Sequence, residues 1–323
     1  MIARVAQACF WLNRYLERTE TTARLLQVTQ HVSLDLELDD TALWQPVLDV
    51  SGEEKRYAAL YGRELEGDEV QEFMTWDERN PVALVSSLRF ARDNARTIRE
   101  TISLEMFQAV NSLWLWLGSR EGRRLYERER HLFYERVKTG CQLFHGLYHT
   151  TMLFDEPYDF MRIGSLFERA DQTMRLLDAT WAATATPARR TARPTDAPRW
   201  LAALRSLSGV EAFTKRTRGT LVGPTVAAFL LYDDRFPRAV HHCMLRAALF
   251  VDRARGGEAS EAGTRTRAVL AGLLERLRTS DIDAVIARGL PLEIADLTAG
   301  MVQLSEALQE ELFDVTAAMP RAG

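Results

Sequence analysis

Glu17 stands beside Arg18, and Glu168 beside Arg169. More charge lies within a turn or two of each dipeptide: Arg14, Glu20 and Arg24 around the first, Asp171 and Arg175 around the second. A carboxylate next to a guanidinium admits two kinds of chemistry. In an open cleft it can move a proton as a general acid or base. In the interior the same pair specifies how two elements pack and adds little net stability. A second set of reactive types is Cys141, His145 and His149, spaced i, i+4 and i+8. That spacing puts them on one helical face, where a soft metal can bind. No fourth ligand accompanies them, so we read the set as structural and assign no metal and no cofactor. Glu127 and His131 miss the Glu-x-x-His spacing of di-iron bundles. His241, His242 and Cys243 are helical neighbours that point in different directions. The chain has no glycine-rich phosphate loop, G-x-S-x-G elbow, H-E-x-x-H or C-x-x-C, so no catalytic constellation is visible.

What positions the charged residues is a repeat. Aligning Glu17 with Glu168 also pairs Arg18 with Arg169, Glu20 with Asp171, Thr22 with Thr173 and Arg24 with Arg175. So many polar matches at one offset point to an internal duplication. The first copy lies in a stretch from Ile2 to Val28 without Pro or Gly, made mostly of good helix formers. On a helical wheel Val5, Ala8, Leu12, Leu16, Ala23 and Leu26 share one arc. Asn13, Arg14, Glu17, Glu20, Thr21 and Arg24 take the opposite arc, and Arg18 sits on the boundary. The second copy keeps Ile163, Phe167, Met174 and Leu177 on its apolar side, with Arg169 on the boundary. As a solvated face, the polar arc would gain about 0.2–0.5 kcal/mol from each i,i+4 pair, Glu20–Arg24 and Asp171–Arg175. A solvated face does not require the same Glu-Arg dipeptide twice. We therefore expect the two motif helices to pack together, joining Glu17 to Arg169 and Glu168 to Arg18.

Between and after the motifs the chain reads as helix throughout. A break is expected at Pro46 and a short helix over Lys55–Tyr61. Asn80-Pro81 reads as a cap and first helical residue. Leu88, Ala91, Ala95, Ile98, Ile102, Met106, Ala109 and Leu113 then recur at helical steps. The other side of that helix carries Arg89, Arg92, Arg96, Arg99 and Ser103, a cationic stripe expected to bridge to carboxylates such as Glu17, Glu20 or Glu105. The second motif helix spans about Asp159–Trp181, followed by an Ala/Thr/Arg/Pro-rich flexible loop near 182–198. Further helices are expected over 200–218, over 226–232, from Pro237 through 253, and over 265–278, 282–287 and 292–313. The fold class is all-α: a multi-helix bundle of two related halves, about 1–155 and 156–323, forming one domain.

These residues resemble the bacterial alpha-E domain family, predicted helical proteins named for a Glu-Arg motif. The family pattern is close to G-R-Y-L-E-R-A-E, then G-R-Y-L-E-R-A-D. Here the copies read Asn13-Arg14-Tyr15-Leu16-Glu17-Arg18-Thr19-Glu20 and Gly164-Ser165-Leu166-Phe167-Glu168-Arg169-Ala170-Asp171. Ser165 and Leu166 replace the usual Arg and aromatic of the second copy. The resemblance continues through Ala91–Glu100, with Arg92, Asn94, Arg96 and Arg99, through Ser103–Met106, with Glu105, and through Asp234–Arg238, with Arg235 and Arg238. Together with Arg14, Glu17, Arg18, Glu20, Arg24, Glu168, Arg169, Asp171 and Arg175, these are the candidate binding residues. The resemblance implies association with a peptide synthesis or modification system. Its other members are circularly permuted ATP-grasp COOH–NH2 ligases, transglutaminase-like peptidases and an NTN-hydrolase-type peptidase.

Composition bounds the alternatives. The 323 residues are 46% hydrophobic, enough for a sizeable core. A net charge of −4 gives no basic field for nucleic acid. Three scattered cysteines, Cys9, Cys141 and Cys243, fit a reducing cytoplasm, and no apolar run is long enough to span a membrane. Two readings stand. One is a non-catalytic accessory or binding subunit of an ATP-grasp ligase, its Arg stripe and motif helices shaping a groove for a peptide or for the partner. The other is an enzyme with a Glu/Arg-lined cleft in the same pathway. A deep polar pocket at the motifs would favour catalysis or small-ligand binding, and a shallow apolar patch a partner interface.

Overall fold

A computed structural model describes residues 3–35, 39–184, 196–218, 221–254 and 263–313. Among the described residues there are sixteen α-helices and no strand. The first half contains α1 (Ala3–Asp35), α2 (Asp40–Ser51), α3 (Glu54–Tyr61), α4 (Gly67–Thr75), α5 (Leu84–Thr97), α6 (Leu104–Leu117), α7 (Arg120–Arg128) and α8 (Arg130–Thr151). The second contains α9 (Glu156–Thr184), α10 (Asp196–Ser206), α11 (Val210–Thr217), α12 (Gly223–Tyr232), α13 (Val240–Arg253), α14 (Thr264–Thr279), α15 (Ile282–Arg288) and α16 (Leu290–Leu308). A single wider π-turn, Gln309–Phe313, closes α16. No described helix is long and apolar enough to cross a membrane. The expected loop near 182–198 begins inside α9 and ends inside α10, and 185–195 lie outside the described residues.

The two motif helices, α1 and α9, form the axis of the bundle and pack most extensively on each other. Around them, α5 and α8 cover α1 while α13 and α2 cover α9. Helix α9 is buried nearly all round, from Phe160, Met161 and Ile163 on one side to Leu166, Phe167 and Glu168 on others. Gly164 sets the closeness of the crossing. A Cβ built on it would lie 2.2 Å from the Phe10 carbonyl oxygen of α1. About one turn away on each helix, Asn13 donates to the Met161 carbonyl at 3.1 Å, and Phe10 meets Phe167 edge-on with ring centres 5.9 Å apart.

Four expectations need correction. Pro46 lies inside α2 and does not end it, because Trp44, Val47 and Leu48 around it are buried and hold the helix in place. Asn80 does not start a helix with Pro81: its side chain accepts from the Val82 N–H at 3.0 Å in a tight turn, and α5 begins at Leu84. The apolar repeat from Leu88 to Leu113 spans two helices. The backbone leaves α5 at Ile98 (φ −111°, ψ 30°), and Ser103 caps α6 by accepting from the Met106 N–H at 3.2 Å. Ile98 and Ile102 stay buried across the turn, so hydrophobic period alone conceals it. Likewise the helix expected over 200–218 is two, α10 and α11, parted by the turn at Leu207–Gly209.

Gly164→Ala is expected to cost about 1–3 kcal/mol or more, since its new atom strikes backbone that cannot rotate away. Gly146→Ala on α8, where no atom lies within 4 Å of an added Cβ, should be neutral or gain up to about 1 kcal/mol from helix propensity. Thermal melting of the two variants side by side checks the contrast.

Candidate functional site

Helical spacing places the charges. On α1, Arg14 and Arg18 are one turn apart and share a face, and Glu17, Glu20 and Arg24 share the adjoining one. Across the crossing, Glu168 of α9 is fully buried and receives both arginines of the first face. Arg18 holds it side-on, Nε to Oε1 at 2.6 Å and Nη2 to Oε2 at 2.9 Å, and Arg14 Nε reaches Oε2 at 2.9 Å. Gln172, one turn along α9, donates to Oε1 at 3.2 Å. The reciprocal pair is also made: Arg169 Nη2 lies 2.9 Å from Oε2 of Glu17, itself 0% exposed. The polar arc of α1 is thus interior and not a solvated face, whereas the Asp171–Arg175 pair of the second copy stays partly exposed.

A third party completes the cluster. Arg238 sits in the turn before α13, not in the helix expected to start at Pro237. Its Nη1 donates to Glu17 at 2.7 Å and its Nη2 to Glu20 at 3.2 Å, while its carbonyl accepts from the Thr173 hydroxyl at 2.7 Å. Asp233 shapes that turn by accepting from the N–H groups of Arg235 and Phe236 at 2.8 and 2.7 Å. Glu20 also pairs with Arg24 on its own helix, accepts from Gln142 at 3.4 Å and faces His145 Nδ1 at 3.5 Å.

Burial pushes the carboxyls up, yet the guanidiniums outweigh it. Arg169 and Arg238 hold Glu17 below the usual carboxylate range, and the His145 hydrogen bond, Arg238 and Arg24 do the same for Glu20. Arg18 and Arg14 bring Glu168 down to about 2. Burial among other arginines pulls Arg238 below its ordinary value. Three carboxylates, Glu17, Glu20 and Glu168, thus face five guanidiniums, from Arg14, Arg18, Arg24, Arg169 and Arg238. The cluster carries an excess of positive charge.

Donor atoms of Glu17, Glu20 and His145 lie within 4.8 Å of one another, a spacing compatible with a metal. The carboxylates already face Arg24, Arg169 and Arg238, and a cation there would add to the positive excess, so the surroundings do not suit one. The expected face of Cys141, His145 and His149 is divided among partners. His145 turns to Glu20, His149 Nδ1 pairs with the Tyr158 hydroxyl at 3.0 Å, and Cys141 is buried in the core.

The remaining candidates lie elsewhere. The arginine stripe does not reach Glu17 or Glu20, because Arg169, Arg238 and Arg24 take those carboxylates. Arg89 pairs with Glu78 at 2.8 Å, Arg92 donates to Asn111 at 2.8 Å, and Arg99 lies 4.5 Å over the Phe107 ring. Arg96 and Glu105 are exposed, Asn94 bonds the Phe90 carbonyl at 2.8 Å, and Arg235 is 77% exposed beside Asp234. Asp171 and Arg175 pair at 2.9 Å, away from the buried cluster, where they line a cavity with Arg18. That cavity, of about 290 Å³, opens between the motif helices and the junction of α2 and α3. A separate groove of about 750 Å³ runs between α6 and α8, lined by Leu113, Trp116, Leu132, Leu143 and Leu147. Gln142, Gln172 and Asp233 were not singled out from sequence, and Thr173 appeared there only as the repeat match of Thr22. Only Asp233 carried a local signal, as the acidic start of the Asp-Asp-Arg-Phe-Pro turn.

Residues 1–313 match the model of the Alpha-E family, described as a predicted alpha-helical domain with a conserved ER motif. The chain belongs to the Alpha-E family. It is also similar to uncharacterized proteins of Mycobacterium bovis and Mycobacterium tuberculosis, each 26% identical over 92% of this chain and 35% of the relative. The chain therefore spans about a third of the length of the curated relatives it matches. No solved structure matches it. In Alpha-E terms, the Glu-Arg dipeptides here are two halves of one buried ion network.

Removing one member of a buried pair strands its partner and costs about 3–5 kcal/mol. Glu17→Gln and Arg169→Met are expected to show coupling of about 0.5–3 kcal/mol in a double-mutant melting cycle. The carboxyls of Glu17, Glu20 and Glu168 have depressed folded-state pKa values. Their contribution is therefore complete above the unfolded carboxylate pKa of about 4.3. It is lost as pH falls toward the folded value, about 2 for Glu168. Stability measured by denaturant titration should fall across that window, and Glu168→Gln should flatten the fall. An unchanged slope in the variant would mean that Glu168 is not ionised in the native state.

Proposed function

We propose that this Alpha-E chain is a non-catalytic accessory subunit of a peptide synthesis or modification system, acting with a circularly permuted ATP-grasp ligase. The observation that carries the reading is the length of its relatives. They join an equivalent region to a further two thirds of polypeptide, as expected for a domain that works beside a catalytic one. The ligase itself enters through the family association, which also admits a transglutaminase-like peptidase or a peptide substrate as partner. A cytoplasmic location is part of the proposal, and the three free, buried cysteines agree with it.

The state of the motif carboxylates supports an accessory role over an enzymatic one. A general acid or base works best with a pKa near the operating pH. Glu17 and Glu168 are held well below that by their guanidiniums, and Glu20 by His145 together with Arg238 and Arg24. The groove between α6 and α8 supplies a surface of the right kind for a partner. Leu132 is 41% exposed and Leu143 56% along this groove, and Leu113 packs against Gly140 at its floor. Such a groove accepts the apolar face of a partner helix. We also read the chain as a duplicated unit with halves of about 1–155 and 156–323, a reading that the reciprocal Glu17–Arg169 and Glu168–Arg18 pairs support.

The test is a pull-down of the tagged chain, at native level in its own organism, with Leu143→Asp as the groove variant. An ATP-grasp ligase should co-purify with the parent chain and be lost with a variant of unchanged melting temperature. A clean, partnerless preparation would sink the subunit reading. Recovery undiminished by Leu143→Asp would move the interface off the groove.

A further inference from the structure

The cavity beside the motif helices is lined by charges of both signs. Arg18 and Arg175 bring guanidiniums, Glu53 and Asp171 carboxylates, and Thr22 and Gln172 a hydroxyl and an amide. Its 290 Å³ lies at the small end of ligand sites, about 300–1,000 Å³, a size for an amino acid or dipeptide and not for a folded partner.

The charges are arranged for use. Arg18 spends Nε and Nη2 on Glu168, which leaves Nη1 as the nitrogen for the cavity it lines. Asp171 on the same wall acts on Arg18 as well, so guanidinium and carboxylate stand near each other there. Arg175 is tied to Asp171 through Nε at 2.9 Å and lies against Gly52, where an added Cβ would stand 3.1 Å from its Nη1. Gly52 has φ +74° and caps α2, so the turn needs glycine both for its backbone and for the guanidinium beside it. Glu53 follows directly, its side chain only 13% exposed, with the exposed Arg56 at 2.6 Å.

A simple anion in this cavity would meet Glu53 and Asp171, and a simple cation would meet Arg18 and Arg175. A ligand carrying both signs satisfies all four. We propose that the cavity binds a zwitterionic α-amino acid or short peptide, carboxylate toward Arg18 and Arg175 and ammonium toward Glu53 and Asp171. Met74 and Val82 offer its side chain an apolar wall. This deepens the accessory reading and rests on it for its biological setting, but binding is measured on the isolated chain and stands or falls without a ligase.

Isothermal titration of the full chain, with the free L-amino acids and Ala-Ala at millimolar concentration as probes, tests it. At least one zwitterion should bind. Its N-acetylated form, lacking the ammonium, and its amide form, lacking the carboxylate, should each bind about tenfold more weakly, the loss of one charged contact. Arg175→Ala should erase the preference for the free acid over the amide, and Glu53→Gln the preference for the free amine over the N-acetyl form. Both side chains are removed from the buried cluster, and an unchanged melting transition confirms folding. No heat with any probe overturns the proposal, as does equal affinity for inorganic phosphate, which would make the cavity a simple anion site.

Discussion

Everything in this bundle depends on keeping three ionised carboxylates dry. Glu17, Glu20 and Glu168 are almost wholly shielded from water. Taking a carboxylate out of water costs several kcal/mol after relaxation, and only well-formed guanidinium contacts offset it. That requirement dictates the neighbours. Helix α1 must present Arg14 and Arg18 to α9, α9 must return Arg169, and a turn far along the chain must supply Arg238. The hydrophobic core, from Leu12 and Leu16 to Phe160 and Phe167, supplies the bulk of the driving force. It would tolerate several ways of rotating two long helices against each other. The ion network tolerates one, because each guanidinium must meet its carboxylate.

Gly164 and the network depend on each other. Backbone contact with Phe10 brings the helices close enough for side-on guanidinium contacts, and the contacts fix the rotation at which the glycine faces Phe10. Asn13 stands where the family pattern has its first-copy glycine, and it uses its amide to bond the Met161 carbonyl across the same crossing. Departure from the pattern at that position therefore adds a contact and keeps the approach.

The part of this site legible in the sequence was what repeats. A Glu-Arg dipeptide recurring at one offset is enough to expect Glu17 opposite Arg169 and Glu168 opposite Arg18, because two packed helices that carry the same dipeptide can each offer the other an acid and a base. Arg238 could be named but not assigned a partner, since it sits in a turn where no periodicity points. With no partner assigned to Arg238, Glu17 and Glu20 still looked open to the stripe from Arg89 to Arg99. The structure resolves this by sending the stripe to Glu78, Asn111 and the Phe107 ring. Helix boundaries failed for a related reason. Buried residues on both sides of Pro46, and across the turn at Ile98–Ser103, keep the hydrophobic pattern running whether or not the backbone stays helical.

Arg238 lies 221 residues from Glu17 along the chain. During synthesis, Glu17 and Glu20 leave the ribosome long before either Arg169 or Arg238 exists, so the face of α1 that carries them has no reason to leave water. Local helices can form early, but closing so long a loop is slow and entropically costly. The network can therefore close only once Arg238, 221 residues beyond Glu17, has been made.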